Sequence, residues 1–328
     1  MTDRLEVTDL RVTYATESGP LHAVNGMSFT VGAGEIVALV GESGCGKSAT
    51  AMSVLRLLPP NAEVAGSIKL EGRELTGLST RQLREIRGRD VSMVFQEPMT
   101  ALNPSFTIGF QIREVILRHQ KVSRRQAHQR AIELLDLVRM PAAARRMREY
   151  PHQLSGGMRQ RVVIAMAVAC RPKVLIADEP TTALDVTIQA QILDIIRSLV
   201  AETGTSVVLI THDLGVVADM ADRVEVMYAG HRVESGRVAE LFAAPRHPYT
   251  ARLLAAVPRR DRSGRLQEIP GRVPTLRDQP HSCVFAPRCH RADDRCRAEL
   301  PVLEEQGHGQ LAACFHPEAA GVTEGRSA

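Results

Sequence analysis

Residues 35–48 read EIVALVGESGCGKS, and the reading of this stretch decides the fold. Ile36 to Val40 run without a polar break, as expected of a strand covered on both faces. They lead into Gly41–Ser48, which fits G-x-x-x-x-G-K-[ST]. Glycines there let the backbone wrap around phosphates, with amide N–H groups and a helix start turned toward negative charge. Lys47 is expected to reach the β- and γ-phosphates, and the Ser48 hydroxyl to ligate Mg²⁺. A chance glycine-rich turn would not need a strand before it and a helix after it. KSATAMSVLRLL (47–58) supplies that helix pattern, ended by Pro59 and Pro60, which cannot continue it.

Outward from this loop, LEVTDLRVTY (5–14) alternates like a strand, while VSMVF (91–95), KVLIA (173–177) and SVVLI (206–210) are short apolar runs ending at polar residues. Helical patterns lie between them, over Arg124–Val138, residues 154–170 and Val186–Val200. Buried strands alternating with helices predict an α/β domain with a largely parallel sheet, whose ligands sit outside the carboxyl ends of the strands. KVLIADEP (173–180) brings two carboxylates to such an end. Asp178 is placed to hold Mg²⁺ or its water, and Glu179 to orient and deprotonate an attacking water. The chemistry expected is ATP or GTP hydrolysis.

Hydrophobic residues make up 44% and charged residues 24% of the 328, an ordinary globular balance. The net charge of +4, from 41 basic and 37 acidic residues of interspersed sign, is too weak to argue for nucleic acid as a partner. The first residues lack the apolar core of a secretory signal, and no run approaches the roughly 18 apolar residues of a membrane span. A cytosolic protein is expected, so six cysteines do not read as a disulfide framework. From about Leu241 the chain turns rich in Pro and Arg. A domain over 1–240 is therefore expected, followed by an extension over 241–328 whose tail, about 318–328, reads as disordered.

A second cradle poses a question. LSGGMRQRVVIAMAVAC (154–170) opens with a serine and two glycines at a helix start, another arrangement that offers amides to an anion. LSGGMRQR before a strand ending in ADEP resembles the signature motif of the ATP-binding cassette family. Gln96 after SMVF resembles its Q-loop glutamine, TALD (182–185) its D-loop, His212 after VVLIT its switch histidine, and Tyr14 the aromatic that stacks on adenine. These marks span about residues 5–235. The resemblance implies a P-loop NTPase fold with a RecA-like parallel core, an antiparallel β subdomain and a helical subdomain over about 97–165. It implies ATP contacts from Tyr14, Gly41, Ser43, Gly44, Cys45, Gly46, Lys47, Ser48 and Ala49, with Mg²⁺ at Ser48, Gln96 and Asp178. Glu179 would be the general base, His212 would contact the γ-phosphate and attacking water, and Lys47 would stabilise charge in transfer. In that family two cassettes dimerise head to tail, so Ser155, Gly156, Gly157 and Gln160 would serve the partner's nucleotide, and Asp185 would shape the dimer contact.

QEPMTALNPSFTIGFQI (96–112), the signature stretch and ADEPTTALDVTIQAQIL further resemble the ATPases of bacterial oligopeptide, dipeptide and nickel importers, more closely the first of their two paired ATPases. HPYTARLLAAVP (247–258) resembles that subfamily's extension. The resemblance implies peptide import powered by ATP at the cytoplasmic face of the membrane. Its partners would be two permease subunits, a second cassette ATPase that is a paralogue rather than an identical chain, and an extracytoplasmic binding protein. Nickel or another small solute, or a soluble cassette protein outside transport, are the alternatives.

Cys283, Cys289, Cys296 and Cys314 are spaced C-x5-C-x6-C-x17-C, without the close C-x2-C pairs that mark zinc most strongly. Four thiols in one short cytosolic segment suggest a metal staple. In the importer ATPases the similar segment is linked in some members to a [4Fe-4S] cluster, which takes four cysteines. Zn²⁺ with mixed ligands from His281, His290, His308 or His316 and reduced free thiols stay open. Cys45 and Cys170 stand apart.

Overall fold

The computed structural model describes residues 3–96, 101–182, 184–256 and 269–318. Glu97–Thr100 and Ala183, within two of the motifs above, and the tail from residue 319 lie outside the described residues. The chain divides into two compact units, one of residues 1–5, 31–35 and 70–210, the other of 6–30, 36–69 and 211–328.

In the first unit three strands run parallel: Val91–Val94 pairs with Val174–Asp178, which pairs with Ser206–Ile210. Every residue of the three is buried, the pattern of a sheet covered on both faces. The middle strand carries Asp178 as its last residue, one position beyond the apolar run. The helix Ile108–His119 buries Ile108, Ile112 and Ile116, one face at a spacing of four. Arg124–Leu137 buries Ala127, Ala131, Leu134 and Leu135, and begins with a capping box in which Ser123 and Gln126 each bond the other's backbone. Gly109 lets the start of the first of these helices approach the backbone at Met147, whose carbonyl oxygen a Cβ there would meet at 2.6 Å. Arg161, buried on the helix Gly156–Val168, donates to the carbonyls of Val138 (2.7 Å) and Arg139 (2.8 Å) and to Gln191 Oε1 (2.6 Å).

In the second unit the strand Asp3–Thr16, most of which belongs here, lies between Gly19–Gly32 and Ala62–Leu70. Ile36–Val40 pairs in parallel with Arg223–Tyr228, and His231–Arg237 follows antiparallel. The helix after the glycine loop spans Lys47–Val54, shorter than the apolar pattern, because Arg56 adopts a left-handed φ of 47° that turns the chain before the two prolines. The extension adds to this sheet: Glu234 pairs with Ala312 and Ser235 with Leu311. Val284 and Phe285 join a buried cluster with Val40, Val226, Tyr228 and Tyr249. Phe285 meets Tyr228 edge-on, ring centres 5.1 Å apart, so the residues beyond 240 share the core of this unit rather than forming one of their own. No helix among the described residues is long and apolar enough to cross a membrane.

One buried carboxylate fastens this region. Glu234 accepts from the Arg246 amide at 2.6 Å, the His247 amide at 2.9 Å and Gln310 Nε2 at 2.7 Å. Burial pushes its carboxyl upward in pKa, against the pull of these donors. Glu234→Ala strands three donors that are buried or half-buried and is expected to cost about 3 kcal/mol of stability, read as a lower midpoint in urea unfolding.

Candidate functional site

The phosphate loop belongs to the second unit and is shaped by two glycines no other residue replaces. A Cβ on Gly41 (φ 152°) would meet the Met227 carbonyl oxygen at 2.2 Å, and one on Gly46 (φ 104°) the Ala23 carbonyl oxygen at 2.4 Å. Gly46 is the N-cap of Lys47–Val54, and no side chain caps that helix start, which leaves its amides to another acceptor. Lys47 is buried, its ammonium donating to the carbonyls of Gly41 (2.7 Å) and Glu42 (3.0 Å), with Cys45 Sγ at 3.7 Å. Burial raises the Cys45 thiol in pKa, so it stays protonated against the nearby cation. Ser43 and Gly44 are exposed at the rim of the loop, Ser48 is half-buried and Ala49 lines the helix's buried side. Tyr14 is half-buried on the first strand, and burial raises its hydroxyl. His212 is exposed two residues past the strand Ser206–Ile210, and Asp213 beside it caps the next helix.

The two carboxylates belong to the first unit. Asp178 is buried at the strand end, and Glu179 follows with a left-handed φ of 46°, a strained conformation for a residue with a Cβ. The Glu179 amide donates to the Ile210 carbonyl at 2.9 Å, which locks that turn. One carboxylate oxygen, Oε2, accepts from Gln96 Nε2 and from Thr182 Oγ1, both at 2.8 Å. Gln96 and Glu179, 83 positions apart, are thus brought into direct contact. A carboxylate oriented by two donors at the end of a buried strand has the geometry to align a water and take its proton. Thr182 entered the sequence reading only as the first residue of TALD, with no role of its own; the signal for its contact was its spacing of three from Glu179.

The second cradle starts the helix Gly156–Val168. Ser155 is its N-cap, accepting from the Met158 amide at 3.4 Å, and Ser155 and Gly156 are exposed. A Cβ on Gly157 would lie 2.7 Å from Ile188 Cγ2, so this glycine lets two helix starts come together. Gln160 faces inward instead: its Nε2 donates to the Pro180 carbonyl at 2.6 Å, while its Oε1 finds no donor among the described residues. The signature helix is thereby tied to the segment that carries Glu179. Asp185 is exposed and caps Val186–Thr203, accepting from the Ile188 amide at 2.9 Å.

All four extension cysteines line one cavity, with His247, Phe285, Arg291 and His316 around it. Backbone amides donate to two of the sulfurs: Arg291 N–H to Cys289 Sγ and His316 N–H to Cys314 Sγ, each at 3.4 Å. Burial and the other three thiols push Cys314 up to about 12. Asp293, Cys296 and His316 also place ligand atoms within 4.8 Å of one another, joined by an Asp293 to His316 contact of 2.8 Å. The triad of Asp293, Cys296 and His316 is thus the group among the described residues whose ligand atoms come within reach of one ion, while the four cysteines line one cavity and two of their sulfurs receive amide hydrogen bonds. Sequence spacing suggested the set, and the fold brings it together.

Residues 24–182 match the family described as ABC transporter, and residues 233–296 the oligopeptide/dipeptide transporter, C-terminal region. The oligopeptide transport ATP-binding protein OppD of Salmonella typhimurium is 50% identical over 314 residues, covering 95% of this chain and 93% of its own length. The oligopeptide transport ATP-binding protein AppD of Bacillus subtilis is 50% identical over 325 residues, covering 98% and 99%. Among solved structures, a dimeric post-hydrolysis state of the ATP-binding cassette MJ0796 bound to ADP and Pi superposes with a TM-score of 0.65 at 27% identity, over 71% of this chain and 98% of that one.

Thr182→Val keeps the side chain's shape and removes the Thr182 donor to Glu179. Steady-state ATP hydrolysis is expected to fall about tenfold, with ATP affinity in equilibrium binding unchanged.

Proposed function

The chain belongs to the ATP-binding subunits of ABC transporters, and from that premise we propose that it powers the import of di- or oligopeptides from the cytoplasmic face of the membrane. What carries the hydrolytic half of this reading is the pair of hydrogen bonds from Gln96 and Thr182 to one oxygen of Glu179. The transport half is supported by relatives of half-identical sequence that are oligopeptide transport ATP-binding proteins over nearly the whole chain. In this reading 1–240 is the nucleotide-binding domain, with its helical subdomain over about 97–165, and 241–328 the extension.

The roles follow the residues. Lys47 and the amides of Gly41–Ser48 stabilise the charge that develops on the phosphates, and Tyr14 stacks on adenine. Glu179 takes the proton of the attacking water, steadied by Gln96, and His212 contacts the γ-phosphate. The buried carboxylate of Asp178 and the amide oxygen of Gln96 are hard donors that suit Mg²⁺, and Ser48 offers a hydroxyl on the first turn of its helix. When bound, Mg²⁺ neutralises charge on the β- and γ-phosphates. Ser155, Gly156 and Gly157 serve the nucleotide of a second cassette, and Asp185 shapes the contact with it; that cassette is a paralogue beneath two permease subunits, fed by an extracytoplasmic binding protein. Cys283, Cys289, Cys296 and Cys314 hold a [4Fe-4S] cluster, which when bound cross-links the extension; zinc is the competing occupant.

Glu179→Gln is expected to lower hydrolysis by at least about a hundredfold while ATP still binds. Appreciable residual turnover counts against its role as base. Gentle solubilisation of membranes carrying the tagged chain, followed by mass spectrometry, is expected to recover two multi-span proteins and a second cassette; recovery from the soluble fraction alone sinks the transport reading. Protein purified without oxygen is expected to contain iron and acid-labile sulfide, both lost on Cys289→Ser, whereas zinc without iron overturns the cluster.

A further inference from the structure

One residue of the phosphate loop is held at three points. The Glu42 amide donates to Tyr249 Oη at 2.9 Å, its carbonyl accepts from Lys47 Nζ at 3.0 Å, and its two carboxylate oxygens accept from Arg288 Nη1 at 3.0 and 3.1 Å. Tyr249 and Arg288 both come from beyond residue 240, and no cassette motif includes either of them.

Arg288 is itself fixed. Its side chain is 6% exposed against 27% for Glu42. Its guanidinium also donates to the carbonyls of Ile269 (3.1 Å) and Pro270 (2.8 Å) and to Tyr228 Oη (3.3 Å), and it lies over the Tyr228 ring at 5.6 Å. Tyr228 and Tyr249 in turn pack against each other with ring centres 4.8 Å apart. An arginine locked by two carbonyls and an aromatic face has little rotamer freedom left to lose, so the Glu42 contact is preorganised and differs from a loose surface ion pair.

We infer that Arg288 is a positioning residue for ATP: it holds the Glu42 carboxylate, neutralises it, and so keeps an uncompensated negative charge from standing beside a loop built to take a triphosphate. It touches no nucleotide in this role and acts through Glu42. The two carbonyls on which Lys47 rests are those of Gly41 and of Glu42 itself, so the same contact also sets where the loop lysine waits. The inference rests on reading Gly41–Ser48 as the ATP phosphate loop.

The test is a double-mutant cycle on the full chain, reading Mg-ATP affinity by calorimetry and KM against kcat in hydrolysis. Arg288→Ala is expected to weaken ATP binding and raise KM roughly five- to tenfold, with kcat changed far less. Glu42→Gln on that background removes the stranded charge and is expected to restore most of the loss. A double variant as weak as Arg288→Ala alone, or an Arg288→Ala protein with the parent's affinity, overturns the inference; the first outcome would mean that Arg288 acts only by packing the extension. Should Arg288→Ala fail to fold, Arg288→Lys and Arg288→Gln carry the same question: the charged variant is expected to bind ATP more tightly, and equal affinities overturn it. Failure of the underlying reading looks different, because the parent chain would then bind no ATP and Lys47→Ala would change nothing.

Discussion

A strand buried on both faces can carry polar chemistry only where it ends, and the rest of this molecule is arranged around that constraint. Ile36–Val40, Val174–Asp178 and Ser206–Ile210 are buried throughout, and the candidate residues stand at or just past their carboxyl ends: Gly41–Ser48 after the first, Asp178 and Glu179 at the second, His212 after the third. Moving the carboxylate of Glu179 one residue inward would bury a charge away from water, at a cost of several kcal/mol. The placement of the chemistry is therefore a solvation result before it is a catalytic one.

The same constraint explains why so much was legible in the sequence. A run such as VLIA cannot alternate and still be covered on both faces, so apolar runs located the strands to within a residue or two. The glycines of the loop were legible for a different reason: at Gly41 and Gly46 the neighbouring backbone leaves no room for a Cβ. What stayed hidden depends on contacts between residues far apart in the chain. Gln160 is a polar residue in a polar motif, yet the fold turns it inward onto the Pro180 carbonyl. Glu234 lies in HRVESGR, where nothing sets it apart from a surface glutamate, yet it is buried where that strand pairs with Leu311–Ala312 and meets Arg246 and His247. Arg288 is one arginine in a segment full of them. Periodicity reports which face of an element is covered and cannot report which distant group a buried polar side chain will meet.

The extension shows how composition misleads about architecture. A stretch rich in proline and arginine reads as one with too few apolar residues to fold alone. It does not have to, because Tyr249, Val284 and Phe285 complete a core whose other members are Val40, Val226 and Tyr228. His247 is fully enclosed there and pushed down to about 3, hence neutral, and its Nδ1 accepts the Tyr249 amide at 3.1 Å. The histidine and tyrosine that mark the extension by sequence are thus internal parts, and the Tyr249 hydroxyl meets the phosphate loop at Glu42.

The cysteine cavity closes the argument physically. Cys283, Cys296 and Cys314 are each pushed upward in pKa, first by burial and then by nearby groups that include neighbouring thiols. A cation held there, as proposed above, would reverse the sign of that interaction, because thiolates that repel one another are each attracted to it; its binding would release protons and add to the folding free energy of the segment. The residue next to Cys289 is Arg288, the guanidinium on Glu42. Whatever fixes the cysteine backbone thereby fixes the origin of that arginine, and the short chain path from sulfur to phosphate loop runs through one ion pair.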